Sequence, residues 1–94
     1  MDRAAAIELL DATHSFPCVY TFKVIGRSEG NFVGRVLQAV RRALPEDAEP
    51  SFSSRRTPAG RHVSVTIEPV LDSAADVLAV YRELSELQGL VLFL

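Results

Sequence analysis

Ninety-four residues, 48% apolar and 23% charged, fit one foldable domain, too apolar for a disordered chain and too short for a catalytic domain joined to a regulatory one. Ten basic and twelve acidic residues leave a formal charge of −2, which gives no general attraction to nucleic-acid phosphates or anionic membranes. The single cysteine, Cys18, excludes an internal disulfide and suits a small buried side chain in a reducing compartment.

In chain order, residues 1–15 read as a helical arm. Ala4 to Ala6 favour helix, and Ile7, Leu10 and His14 share a face until Phe16 and Pro17 end it. Asp2, Arg3, Glu8 and Asp11 interrupt its apolar residues, so no signal-peptide core forms; nothing approaches a membrane span, and a cytoplasmic protein is expected. Residues 16–94 read as the domain proper. From Cys18 to Ile25 a strand alternates, with Cys18, Tyr20, Phe22 and Val24 on the core side and Val19, Thr21, Lys23 and Ile25 opposite.

The loop Gly26 to Gly30 then feeds a helix, capped by Ser28 or Asn31, in which Phe32, Val33, Val36, Leu37, Val40 and Leu44 recur at three and four residue spacing. Pro45 and the acidic run after it close that helix. Ser51 to Thr57 reads as an edge strand, because Phe52 is its one large apolar residue. Thr57 to Gly60 make a reverse turn into a strand whose Val63, Val65 and Ile67 share a side. Ser73 with Asp76 resembles a capping box for a second helix carrying Val77, Leu78, Tyr81, Leu84 and Leu87, which stops at Gly89; Leu90 to Leu94 form the closing strand.

The order β-α-β-β-α-β predicts an α+β, ferredoxin-like split βαβ fold: a four-stranded antiparallel sheet with two helices on one face. Its first and third strands are then central, its second and fourth lie at the edges, and one sheet face stays open.

Phe16 to Gly26 (FPCVYTFKVIG), Gly60 to Ile67 (GRHVSVTI) and Val80 to Leu94 (VYRELSELQGLVLFL) resemble, in order and spacing, the YbeD-like family of small bacterial proteins. The resemblance spans about Phe16 to Leu94 and implies a ferredoxin-like fold similar to amino-acid-sensing ACT regulatory domains, with no established biochemical function. Two positions depart from it: His62 stands where relatives tend to carry an aromatic residue, and the last strand lacks their interrupting charge.

No residues are assigned to catalysis, metal binding or a cofactor. His14 and Cys18 straddle the Phe16-Pro17 break, His62 has no ligand partner near it in sequence, and Glu46, Asp47 and Glu49 read as solvated carboxylates. The glycines around residues 26–34 match neither dinucleotide nor P-loop fingerprint.

Three features remain. Gly26, Arg27, Ser28, Gly30 and Asn31 form a loop whose plainer task is to turn the chain; alternatively, backbone N–H groups at the helix start, with Arg27 and Asn31, meet a small carboxylate ligand. Arg55, Arg56, Arg61 and His62 bracket the hairpin as a basic patch, the basis of a weaker nucleic-acid reading, although the open face offers no stacking aromatics. Finally, alternation sends Leu90, Leu92 and Leu94 to one face of the last strand and Val91 and Phe93 to the other, an apolar edge that needs a cover. The leading expectation is therefore a non-enzymatic regulatory or protein-interaction module, most simply a homodimer, with an ACT-like sensor of amino acids or carboxylates as the alternative.

Overall fold

The computed structural model describes residues 2–94. Helix α1 (Arg3–Thr13) starts at Asp2, whose side chain accepts a 2.7 Å hydrogen bond from the Ala5 N–H. It is followed by β1 (Cys18–Val19), β2 (Phe22–Arg27), α2 (Phe32–Arg42), β3 (Ser51–Arg56), β4 (His62–Glu68), β5 (Val70–Leu71), α3 (Ala74–Ser85) and β6 (Leu90–Phe93). The fold is α+β, with three helices, a four-stranded antiparallel sheet ordered β3-β4-β2-β6 and a two-stranded ribbon, β1-β5.

Period-two alternation places Phe22 and Val24 of β2 and Val63, Val65 and Ile67 of β4 on one sheet face, where all five are buried. Helices α2 and α3 cover that face with Phe32, Val36, Ala39 and Val40 from the first and Val77, Val80 and Leu84 from the second. The opposite face carries Lys23, Ile25 and Arg27 from β2, with Ser64, Thr66 and His62 as their register partners on β4. Both helix starts use short polar side chains. Asn31 caps α2, and Ser73 caps α3 by accepting from the Asp76 N–H at 3.3 Å while Asp76 accepts from the Asp72 N–H. Ser73→Ala removes the side-chain acceptor at the start of α3 and should cost about 1 kcal/mol in chemical denaturation.

Two expectations are corrected. The strand expected over Cys18 to Ile25 divides in two. Pro69 ends β4, and the Tyr20 N–H donates to the Pro69 carbonyl at 3.0 Å. Proline has no N–H to extend the ladder, so the chain before β2 leaves the main sheet and pairs with β5, Cys18 opposite Leu71 and Val19 opposite Val70.

The alternation expected in the last strand also fails. Leu92 pairs with Ile25 but Leu90 pairs with Gly26, so β6 spends two steps where β2 spends one. This bulge at Val91 turns Leu90 to the helix side, where it packs against the core, and leaves Leu92 on the open face. The Leu94 N–H bonds the Lys23 carbonyl at 2.8 Å, which continues the pairing beyond Phe93 and puts Leu94 on the open face as well.

Candidate functional site

The segment after β2 is built around close approaches rather than around a cavity. Gly26 lies inside β2, not in the loop as expected, and a Cβ there would overlap the buried Phe32 ring. The Ser28 hydroxyl donates to the Gly60 carbonyl and its N–H to the Arg61 carbonyl at 3.0 Å, tying the loop to the β3-β4 hairpin. Gly30 (φ 68°) and Asn31 (φ 52°) make the left-handed turn into α2, and the Asn31 side-chain oxygen accepts from the Gly34 N–H at 3.3 Å.

Arg35 fills the other side of the loop. Its guanidinium donates to the carbonyls of Gly30 (2.8 Å), Gln88 (2.7 Å) and Glu29 (3.3 Å) and lies 5.5 Å from the centre of the Phe32 ring. It thereby joins the β2-α2 loop to the α3-β6 loop, a role that no motif or spacing around Arg35 signals. Of the five candidate residues, Gly26 is spent on the Phe32 contact, Gly30 on the turn, and Ser28 and Asn31 on structural hydrogen bonds. Among the described residues, Arg27 alone of the five keeps an unengaged side chain. Arg35→Ala should cost about 1–3 kcal/mol in urea unfolding, and Arg35→Lys should recover only part of it, because an ammonium cannot span three carbonyls as the planar fork does.

The four basic hairpin residues do not form one patch. Arg55 pairs with Ser64 and so lies on the open face with His62, whereas Arg56 pairs with buried Val63 and lies on the helix side. Strand register instead joins Arg27 to His62 as direct cross-strand partners, with Arg61 beside them at the hairpin turn. A solvent-open depression of about 440 Å³ lies there, lined by Arg27, Ser28, Glu29, Arg61 and His62.

At the other rim, β6 is hydrogen-bonded to β2 on one side and to no strand on the other, among the described residues. Val91 (49%), Leu92 (41%), Phe93 (38%) and Leu94 (66%) remain exposed. Helix α1, the segment that could have covered them, packs on α3 instead. Beneath the rim, Phe93 meets Tyr81 edge-on with ring centres 5.5 Å apart, and Tyr81 continues through Phe22 and Tyr20 to His14. Burial first, and then the Tyr20 hydroxyl, hold the Tyr81 phenol well above its ordinary pKa. His14 is thus a packing residue in an aromatic row.

The scaffold and its segment matches place the chain among known proteins. Residues 11–94 match the model of DUF493, described as a protein of unknown function. The chain belongs to the DUF493 family. It is 32% identical over 79 residues to a UPF0250 protein of Shewanella sediminis, covering 84% of this chain and 88% of that one. A UPF0250 protein of Shewanella baltica is 30% identical over 82 residues, covering 87% and 86% respectively. The solution structure of HP0495 from H. pylori superposes with a TM-score of 0.71 at 11% identity, over 86% of this chain and 85% of that one. That likeness concerns the fold alone. The resemblance to YbeD-like proteins read from the sequence is therefore correct, and DUF493 membership adds no activity to it.

Proposed function

We propose that this DUF493 chain is a non-enzymatic regulatory or protein-interaction module of ferredoxin-like, ACT-like design, acting in the cytoplasm as a homodimer through the β6 rim. The observation that carries this reading is the contrast between the two sheet edges. Edge β3 is polar apart from Phe52, holds Arg55 and Arg56 and is preceded by Pro50, features that discourage strand addition. Edge β6 carries no charge and no proline, has a free hydrogen-bonding side and exposes four consecutive apolar residues.

Antiparallel addition of a second β6 is isologous. It joins two four-stranded sheets into one and buries the same residues twice without bringing like charges together. The carboxylate-sensor alternative at Gly26, Arg27, Ser28, Gly30 and Asn31 has less support, since the polar groups of Ser28 and Asn31 already have partners. Nucleic-acid binding by stacking has little, because the central strands present Lys23, Ile25, Arg27, His62, Ser64 and Thr66 on the open face and no large aromatic ring. Static light scattering across protein concentration tests the proposal: a dimer mass is expected, falling toward the monomer on dilution. A monomer mass throughout removes it.

A further inference from the structure

The geometry points to a phosphate-binding site in the depression between the β2-α2 loop and the β3-β4 hairpin, with Arg27 and Arg61 as its two guanidinium ligands and His62 as a third donor. It would take a phosphate dianion, free or as the monoester of a small molecule.

The first ground is unpartnered charge. Among the described residues the ion pairs are Arg41 with Glu49 and Arg42 with Glu83, and Arg35 is held by three carbonyls. Among the described residues the side chains of Arg27 and Arg61 have neither an ion pair nor a hydrogen bond, as is also true of Arg3, Lys23, Arg55, Arg56 and Arg82; what sets these two apart is that they line one depression with an imidazole beside them. The second is placement. Arg27 and His62 are direct cross-strand partners, which sets the guanidinium and the imidazole side by side on the open face.

The third ground is rigidity. Ser28 is bonded to the Gly60 and Arg61 carbonyls, Arg27 donates its N–H to the Gly89 carbonyl at 2.9 Å, and the Thr57 N–H bonds the His62 carbonyl at 2.9 Å. The backbone under the site is thus fixed on both sides of the depression before any ligand arrives. Two planar forks and an imidazole suit a dianion with three peripheral oxygens better than a carboxylate, which a single guanidinium satisfies. Glu29 in the lining leaves an acceptor for a hydroxyl of an esterified ligand.

The site does not depend on β6 self-association, so the two proposals fail separately. Thermal unfolding of the full chain with inorganic phosphate, against chloride at matched ionic strength, tests it. Phosphate about tenfold above its Kd should raise the midpoint by roughly 5–10 °C. Arg27→Gln and Arg61→Gln should each abolish that rise while leaving the ligand-free midpoint unchanged or higher, and Arg41→Gln should keep it. Glycerol phosphate giving a larger rise than inorganic phosphate assigns the site to an esterified ligand; the reverse order assigns it to the free ion. An equal rise in chloride or acetate, a rise that survives both arginine substitutions, or tight oligonucleotide binding without any phosphate effect overturns the proposal.

Discussion

Gly26→Ala should lower the stability of the domain by about 3 kcal/mol or more, a large share of the roughly 5–14 kcal/mol available to a chain of this size. The added methyl group falls on the Phe32 ring, which is 1% exposed and walled in by the sheet on one side and α2 on the other. A central strand cannot yield, since β4 and β6 are hydrogen-bonded to either side of β2. The ring cannot yield either without opening the core. Urea unfolding should show a lower midpoint with an unchanged slope, because the surface exposed on unfolding is the same.

Phe32 is the obstacle, so a second change should reveal it. Phe32→Ala alone should cost about 3–5 kcal/mol, while Gly26→Ala combined with Phe32→Ala should cost clearly less than the two summed. Additive costs would show that something other than the ring excludes a side chain at position 26. The contact matters beyond stability: Phe32 opens α2, its ring lies under the Arg35 guanidinium, and Arg35 holds the carbonyls of Glu29, Gly30 and Gln88. One missing side chain in β2 therefore sets the position of the loop that ends the strand.

That contact also marks where reading from the sequence stops. The alternation of Val63, Val65 and Ile67, the Ser73 and Asp76 cap and the three and four residue spacing of α2 each lie within one element, and each predicted its element correctly. Gly26 read as a turn glycine because the ring it accommodates lies on the next element and belongs to tertiary structure. The β1-β5 ribbon has two residues in each strand, too few to show any period.

The bulge at Val91 leaves no trace in a run where every residue is apolar, so strict alternation groups Leu90 with Leu92 and Leu94 although Leu90 turns to the helix side. The candidate site followed the same rule. Arg55, Arg56 and Arg61 stand close in sequence and so read as one patch, yet alternation separates Arg56 from Arg55. Arg27 and His62 lie far apart in sequence and meet only through the β2-β4 register.

Leu92→Glu should abolish self-association while leaving the subunit folded. Leu92 lies opposite Ile25 on the open face, and Ile25 is flanked on that face of β2 by Lys23 and Arg27. A carboxylate at position 92 is thus welcome to its own subunit: it stays hydrated, removes an exposed leucine and stands near two cations. Pairing of β6 with a second β6 reverses that balance, because two-fold symmetry brings two like charges into one strand pair.

Directly opposite one another, at ~5 Å apart and an effective dielectric constant of ~20, they repel by about 3 kcal/mol, which weakens association by roughly 100-fold or more. Light scattering should therefore report a monomer at concentrations where the parent is a dimer, and the variant's melting temperature should no longer rise with protein concentration. Added salt should restore part of the association, since screening weakens the repulsion. Ser53→Glu, on the open face of the opposite edge, introduces the same charge outside the proposed interface and should leave the mass unchanged. A Leu92→Glu protein that keeps the parent's dissociation constant would mean that the two subunits meet elsewhere, and the apolar residues of β6 would then need another explanation.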